Sequence, residues 1–174
     1  MLLSDYELQT IPELIDIPIT VAKRKIRAIE QGIRAYTNNN FQNRMIRFGT
    51  SSADGVLQGE YKLLNVGDTV QISESINNGL YVIESINENQ ITLDTALIDA
   101  EYNLVTKVEY DDNIVEGAIN LLLWDINNRS KVGIQSETLS RHSVTYFSQD
   151  ANNSLMGYPV SLLGFLKPYI KARF

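Results

Sequence analysis

The spacing of apolar residues changes twice along this chain, and the change limits the folds that the chain can adopt. Apolar residues recur every three or four positions from Ile19 to Tyr36, alternate with polar residues between about Arg44 and Lys107, and return to helical spacing after Asp111. A period near 3.6 indicates an amphipathic helix, and a period of two indicates a strand with one buried face. The sequence therefore predicts helices on either side of a set of strands.

This order of elements predicts an α+β fold class, because the strands are gathered in one stretch and do not alternate with helices. We expect a small helical bundle core formed by residues 1–43 and 108–174. An antiparallel β-sheet or barrel module, residues 44–107, is expected as an insertion between the first long helix and the central helix. A chain of 174 residues is long enough for one core that carries such an insertion.

Four stretches of the predicted β module have the character of strands: "NVGDTVQIS", "NNGLYVIESI", "NENQITLDTAL" and "EYNLVTKVEY". Asn78-Gly79 opens the second stretch and predicts a tight hairpin turn. In the third stretch, Ile91 and Leu93 are expected to face the same way. The segment "GTSSADGVLQGEY", Gly49 to Tyr61, is rich in glycine and serine and predicts a mobile surface loop.

The remaining elements are predicted to be helices and one short strand. The first helix has an apolar stripe that we expect to be buried, consisting of Ile19, Ala22, Ile26, Ile29, Ile33 and Tyr36. The central helix is expected to begin at a cap from Asp111 or Asp112, to end at Gly133, and to bury Ile114, Ala118, Leu121, Leu122 and Ile126. A short strand at Ser143–Phe147 and a helix that starts at Pro159 and breaks near Pro168 follow.

The first helix is basic although the chain as a whole is acidic. A net charge of −6 and a pI near 4.8 argue against a dedicated DNA-binding protein, since such proteins usually present a basic surface. The helix nevertheless carries Lys23, Arg24, Arg27 and Arg34. Two interpretations are open: a solvated amphipathic helix with basic side chains along its edge, or a functional basic surface that faces a protein or a nucleic acid.

Residue types that carry out chemistry are sparse in this chain. The absence of cysteine and the presence of a single histidine, His142, exclude a disulfide framework, a thiolate zinc site and a multi-histidine metal site. Phosphate-cradling glycine motifs and the G-x-S-x-G motif are also absent. Oxygen ligands for Mg²⁺ or Ca²⁺ occur in two places, Asp111 with Asp112 and Asp94 with Asp99 and Glu101, where capping and solvated loop charge explain them better. We therefore predict a protein that is not an enzyme and has no metal and no cofactor.

The sequence also bears on location. The first 20 residues lack a basic segment before their apolar residues and are interrupted by acidic residues and prolines, so we do not expect a signal peptide. Apolar runs such as Leu121 to Trp124 are far shorter than the roughly 20 residues that a membrane-spanning helix needs. We expect a protein that is made in a cytoplasm and does not enter a membrane.

Three stretches resemble the head–tail connector, or adaptor, proteins of long-tailed bacteriophages. The first is "IRAYTNNNFQNR", in which Tyr36, Thr37 and Phe41 match an aromatic-threonine step, a polar turn and a phenylalanine. The second is "KVGIQSETLSRHSVTYF", with matches at Gly133, Ser136, Glu137, Ser143 and Tyr146. The third is "GYPVSLLGFLKPYIK", which is similar to the family's tyrosine-proline and leucine-lysine-proline-tyrosine pattern at Tyr158, Pro159, Leu166, Lys167, Pro168 and Tyr169. The three stretches occur in the family's order.

The resemblance implies a structural virion protein, made in the host bacterial cytoplasm and located at the head–tail junction. It implies a homo-oligomeric ring, expected to be dodecameric, that binds beneath the portal protein after DNA packaging. The ring would join the DNA-filled head to a downstream head completion (stopper) or tail protein. It would also continue the channel for double-stranded DNA without sequence-specific binding.

The resemblance also assigns two candidate surfaces. The C-terminal segment is expected to bind the portal through Tyr158, Pro159, Leu166, Lys167, Pro168, Tyr169, Ile170, Lys171, Arg173 and Phe174. We expect its tail to become ordered only when it docks. Lys23, Arg24, Arg27 and Arg34 are expected to face a neighbouring subunit or the channel. The main alternative is a non-catalytic binding protein that recognises a protein or glycan through the loops of its β module; a much weaker one is an oxygen-ligated metal hydrolase.

Overall fold

The computed structural model describes residues 2–59, 61–128, 136–139, 142–145 and 154–172, of which 136–139 and 142–145 are described by their backbone alone. The chain divides into two compact units. One unit is Asn39–Tyr110, and the other combines Leu2–Asn38 with the described residues from Asp111 onward. The first unit is an antiparallel six-stranded sheet and the second contains the helices, so the prediction of a mixed helical and antiparallel β fold is confirmed.

The six strands of the first unit close into a barrel. They are β1 (Gln42–Ala53), β2 (Val56–Gln58), β3 (Thr69–Ser73), β4 (Gly79–Asn87), β5 (Gln90–Leu93) and β6 (Ala100–Val108). Their order around the barrel is β1-β2-β5-β4-β3-β6, and β6 pairs with β1 to complete the circle. Each strand of the barrel therefore pairs with a neighbour on both sides over at least part of its length. Inside lies an aliphatic core that includes Leu57, Val70, Ile72, Ile83, Ile91 and Val105.

The strand predictions agree with the structure in part. Ile91 and Leu93 of β5 are both buried, as the alternation predicted. The segment Gly49 to Tyr61 is not a loop, since most of it belongs to β1 and β2, and Leu57 is fully buried. A tight turn at Asp54-Gly55 joins these strands, with φ values of 54° and 84° that suit a hairpin turn. The small polar residues that suggested a loop are strand residues, and Ser52 is buried with its hydroxyl donating to the Ile98 carbonyl at 2.7 Å.

The predicted Asn78-Gly79 turn is also different in the structure. Gly79 is the first residue of β4 and pairs with Ile72, so the connection from β3 to β4 is the five-residue loop Glu74–Asn78. The positive φ that reverses the chain is at Glu74, where φ is 56°. Gly79 instead lies beneath the Tyr81 ring, and an added Cβ would come within 3.0 Å of it. The asparagine-glycine pair therefore marks the end of a longer loop.

The helical unit begins with two short elements. Helix α1 (Asp5–Thr10) starts at a capping box, in which the Ser4 hydroxyl accepts from the Glu7 N–H and the Glu7 carboxylate accepts from the Ser4 N–H. A single 3-10 turn, Pro12–Leu14, follows. The unit continues with α2 (Ile19–Thr37), α3 (Asp112–Asn128), a hairpin of β7 (Ser136–Leu139) and β8 (His142–Thr145), a small ribbon of β9 (Ser154–Leu155) and β10 (Tyr158–Pro159), and a C-terminal 3-10 helix, Val160–Tyr169.

Within this unit, α2 packs against α1, α3 and the C-terminal 3-10 helix, which also packs against α3. The apolar faces agree largely with the predictions. Ala22, Ile26, Ile29 and Ile33 of α2 are buried, whereas Ile19 and Tyr36 at the ends of the stripe are half-buried. The buried residues of α3 include Ile114, Ala118, Leu121 and Leu122, with Ile126 half-buried.

Glycines allow close contacts at two places in the helical unit. A Cβ added to Gly117 of α3 would lie 2.3 Å from the Phe165 ring, and one added to Gly32 of α2 would lie 2.6 Å from the Met156 methyl group. Contacts this short are essentially never made by real Cβ atoms, so a side chain at either position requires its neighbour to move. Gly117 therefore sets how closely the C-terminal 3-10 helix approaches α3.

The last third of the chain differs in part from the predicted helix and strand. The helix does start after Pro159, but it is a 3-10 helix that includes Pro168 and ends at Tyr169, so no break occurs before that residue. Pro168 lies one position from the end, where the missing N–H removes only one terminal hydrogen bond. The predicted strand Ser143–Phe147 overlaps β8, which pairs with an unpredicted partner, β7. Gly133, Tyr146 and Phe147 lie outside the described residues.

Candidate functional site

Three of the five basic residues of α2 lie on one solvent-facing side of the helix. Lys23, Arg24 and Arg27 line an open depression of about 500 Å³ together with Thr20, Ala28 and Gln31. These six positions follow one another at helical spacing, so they share a surface without help from another element. Arg34, two turns further on, does not line this depression and is half-buried near the C-terminal end of the helix. The structure thus brings three of the four predicted basic residues together. The helical spacing predicted Arg34 beside Lys23 and Arg27 and Arg24 pointing away, whereas Arg24 lines the depression and Arg34 does not.

The electrostatic surroundings of these residues differ. The Lys23 ammonium is 2.9 Å from the Asp5 carboxylate of α1, so part of its charge is neutralised within the chain. Arg24 and Arg27 are exposed. The position of Arg34 suits its charge, because the C-terminal end of a helix carries partial negative charge. The Arg34 carbonyl accepts the N–H of Asn38, which ends α2 in the left-handed conformation.

Lys25 projects from a different side of α2 and forms an ion pair with Asp125 of α3. The Asp125 side chain is only 6% exposed, so its charge requires a partner within the protein. Sequence reasoning missed this pair. The available signal was an aspartate in the apolar run "LLLWDIN", which predicts a buried carboxylate but does not identify a partner 100 residues away.

The predicted portal-binding residues fall into two groups. Tyr158, Pro159 and Leu166 are buried, and the Tyr158 ring meets the Trp124 ring edge-on with centroids 5.5 Å apart. These three residues stabilise the helical unit in this conformation. The exposed members are Lys167, Pro168, Ile170 and Lys171, with Tyr169 half-buried. Arg173 and Phe174 lie outside the described residues.

The described part of the tail is bonded to the end of α2. The N–H of Lys171 donates to the Thr37 carbonyl at 2.8 Å, and the Asn38 side-chain amide donates to the Ala172 carbonyl at 2.9 Å. Hydrogen bonding to the Asp111 carboxylate raises the pKa of the Tyr169 hydroxyl. The expectation that this tail orders only on docking is therefore wrong as far as Ala172. Asp111 thus makes two kinds of contact. Its carboxylate hydrogen-bonds to Tyr169, and its backbone carbonyl accepts hydrogen bonds from the N–H groups of Ile114 and Val115 at the start of α3.

The barrel offers two further surfaces. The sequence predicted binding through loops of the β module but did not predict which loops lie together. We call the first the tip: it consists of the three connections at one end of the barrel, residues 54–55, 74–78 and 94–99. We call the second the groove: it has a volume of about 300 Å³ and is lined by Met45–Phe48 and Tyr61–Leu64. Each surface combines segments that are distant in sequence, so the local pattern contained no signal for either.

Two of the carboxylates considered as oxygen ligands accept backbone hydrogen bonds. Asp94 accepts the Val82 N–H at 3.1 Å, and Asp99 accepts the Asp54 N–H at 3.0 Å. In the part of the chain that the structure describes, no group of three or more histidine, cysteine or carboxylate residues is placed to hold a metal ion. The side chain of His142 lies outside the described atoms.

Comparison with protein-family models and with curated proteins finds no match for this chain. Among the described helices, none has the length and apolar character required to cross a bilayer. The assignment of function therefore depends on the surfaces described above and on the resemblance of the three stretches.

Proposed function

We propose that this chain is a structural, non-catalytic subunit of a phage head–tail connector, which forms a ring beneath the portal and continues the DNA channel. The observation that supports this most is a contact between two of the three resembling stretches. The end of α2 and the C-terminal segment are more than 130 residues apart, yet Thr37 and Asn38 bond to Lys171 and Ala172. Residues that share a family pattern thus form one structural feature.

The helical unit would serve as a small helical bundle core in this proposal, with the barrel as an insertion. Mutual packing of α2, α3 and the C-terminal 3-10 helix supports the bundle. So does the close contact of Gly117 with Phe165, since it determines how the 3-10 helix that carries the portal-binding residues sits on α3.

The basic side of α2 would face a protein partner, either a neighbouring subunit or the portal. Five basic residues and one acidic residue give α2 a net charge of +4 in a chain of net charge −6. Carboxylates on the partner would complement this surface and direct its approach. A channel through which DNA must slide gains little from binding phosphates tightly, so we favour protein over DNA as the ligand of Arg24 and Arg27.

The C-terminal segment would bind the portal through its exposed residues Lys167, Pro168, Ile170 and Lys171. Tyr158, Pro159 and Leu166 would act indirectly, by holding this surface in place from the core. Because the tail is already bonded to α2 as far as Ala172, it can dock without the full entropy cost of ordering.

The deciding experiment is sedimentation of the purified protein with DNA-filled, tailless heads from a lysate that lacks it. We expect co-sedimentation and, in electron micrographs, a new ring below the portal, dodecameric by the resemblance. Lys167→Glu with Lys171→Glu should reduce capture at least tenfold. Asn120→Glu with Asn127→Glu, which adds two carboxylates at exposed positions of α3, should not. A protein that remains in the supernatant with competent heads would contradict the proposal.

A second candidate is that the barrel recognises a protein or glycan while the helices act as a scaffold. The groove favours this candidate, since it is concave and partly apolar. The Gly49 to Tyr61 stretch no longer supports it, because that stretch is mostly strand. Groove substitutions that abolish binding to an external ligand but leave ring assembly intact would support the second candidate.

A further inference from the structure

The tip end of the barrel is uniformly acidic, because the basic residues of the barrel all lie elsewhere. The segment Asn39–Tyr110 has ten acidic and four basic residues, a net charge of −6. The tip end carries five acidic and no basic residues, these five being Asp54, Glu74, Asp94, Asp99 and Glu101. All four basic residues, Arg44, Arg47, Lys62 and Lys107, belong to the rest of the barrel, which also has the other five acidic residues. Successive connections in an antiparallel barrel alternate between its ends, so the tip and the groove are at opposite ends.

Hydrogen bonds between its three connections hold the tip rigid. The Asn77 side chain donates to the Ile98 carbonyl and accepts the Ile98 N–H, both at 2.8 Å. The N–H of Leu97 donates to the Gly55 carbonyl at 3.0 Å, which ties the third connection to the first. A surface that is already rigid loses little conformational entropy when it binds.

Two isoleucines project from this rigid tip. Ile76 is 70% exposed and Ile98 is 59% exposed. Asn77 fixes both of them, because it follows Ile76 in the chain and bonds to both backbone groups of Ile98. The tip is therefore an apolar projection with an acidic rim.

The groove has the opposite shape and charge. Its floor includes the stacked rings of Phe48 and Tyr61, with centroids 3.7 Å apart. Met45 and Leu63 at its sides are 90% and 64% exposed. Arg47 and Lys62 are basic residues of its lining. The groove is thus an apolar depression with a basic rim.

We infer that the tip of one subunit docks into the groove of a second copy of this chain. Apolar side chains meet apolar side chains in this contact, and an acidic rim meets a basic one. A contact between two tips is disfavoured because it would bring like charges together. Since the two surfaces differ and lie at opposite ends, the contact is heterologous, and a pair of subunits retains one free tip and one free groove for further copies. The inference rests on the proposed connector function for the closure of this series into a ring.

Engineered cysteines test this contact directly, because the natural chain has none. One batch of full-length protein carries Ile76→Cys at the tip and a second carries Leu63→Cys in the groove; the two are mixed and oxidised. We expect the mixed disulfide to form about tenfold faster than in a matched mixture of Ile76→Cys with Asn120→Cys, because docking raises the effective concentration of the two thiols. Equal rates for the two mixtures, in solution and on sedimented heads, would overturn the inference.

A charge exchange sharpens the test. Glu74→Lys with Glu101→Lys, added to the tip batch, should lower the rate about tenfold at low salt, because the two rims then repel each other. Arg47→Glu with Lys62→Glu, added to the groove batch, should restore it. Failure of this restoration would mean that the rims do not meet.

The two proposals fail separately. If heads capture the protein but the cysteine pair shows no preference, the connector function stands and the ring uses other surfaces. If the pair forms preferentially but heads do not capture the protein, the contact stands and the connector function is wrong.

Discussion

The barrel and the helical unit bury polar side chains in different ways. The barrel uses neutral groups: Asn103, Asn77 and Ser52 are buried and bond to one another, and Ser75 joins them. The helical unit uses a charged pair, Lys25 with Asp125. A neutral network is costly to interrupt because each member satisfies several others. Removing one member of a buried ion pair is costly because the remaining charge lacks its counter-charge, whereas removing both members avoids this cost. The two units should therefore respond differently to the removal of one member and of both.

The largest effect is expected at Asn103. Its amide donates to the Thr50 carbonyl and the Ser52 hydroxyl, and its oxygen accepts from Ser75 and Asn77. Asn103→Leu removes these four hydrogen bonds from a network that is largely shielded from water, so we expect the free energy of unfolding to fall by about 3 kcal/mol. Chemical denaturation measures the change, and hydrogen exchange should show it in residues 39–110. Exposed Asn87→Leu is the control; similar losses for both would mean that the network is not stabilising.

The ion pair of the helical unit should show a smaller loss that can be reversed. Lys25→Met leaves the Asp125 carboxylate buried without this counter-charge and should cost about 2 kcal/mol, less than a fully buried pair because Lys25 is partly exposed. Asp125→Leu added to the same protein should recover most of the loss. Thermal unfolding of the two single variants and the double variant gives the coupling energy. Additive losses would show that the pair does not depend on charge compensation.

A third prediction concerns the close packing of Gly117 against Phe165 in the helical unit. Gly117→Ala should destabilise it by about 1 to 2 kcal/mol, because the added methyl group meets the Phe165 ring and this outweighs the higher helix propensity of alanine. Gly164→Ala in the C-terminal 3-10 helix is the matched control, since an added Cβ there meets nothing within 4 Å. Equal melting temperatures for the two variants would show that the contact with Phe165 is not tight.

The smallest expected effect is a loss of folding stability in the barrel at alkaline pH. Burial opposes the charge of Lys107, but hydrogen bonds and attraction to Asp68 and Glu109 outweigh it and raise the pKa of Lys107 above its ordinary value of 10.5. The folded protein therefore holds this proton more tightly than the unfolded chain. The resulting stability is fully present below pH 10.5 and is lost as the pH rises through the higher pKa of the folded state.

Lys107→Met measures this contribution. As the pH rises above 10.5, the natural protein should lose up to about 1 kcal/mol more than the variant, since the pair is only partly shielded from water. Tyrosines with a raised pKa, such as Tyr81, also lose their contribution to stability as the pH rises. This loss is the same in the natural protein and in the variant, so it cancels in the comparison. Parallel stability curves for the two proteins would show that Lys107 does not contribute.

The sequence was sufficient where the structure depends on local periodicity. The burial of Ile91 and Leu93 and of the central α2 stripe followed from the spacing of apolar residues, as did the common side of Lys23 and Arg27. Reasoning from composition was less reliable: glycine and serine between Gly49 and Tyr61 suggested a loop, although Asp54-Gly55 was itself a hairpin signal. The ion pair of Lys25 with Asp125, the tip and the groove depend on contacts between distant segments, which one sequence does not reveal.

Closure of the barrel has a consequence for how such a protein can arise and be altered. The first and last strands are neighbours, with Gln42 opposite Val108, and the Glu109 N–H returns to the Phe41 carbonyl at 2.9 Å. The polypeptide thus enters and leaves the barrel at points roughly 5 Å apart, the usual separation of paired residues on adjacent strands. A segment with adjacent ends can be gained, lost or exchanged in a single genetic event without stretching the chain on either side. The barrel is therefore a replaceable insertion. Replacing residues 42–108 with a short linker should yield the helical unit alone.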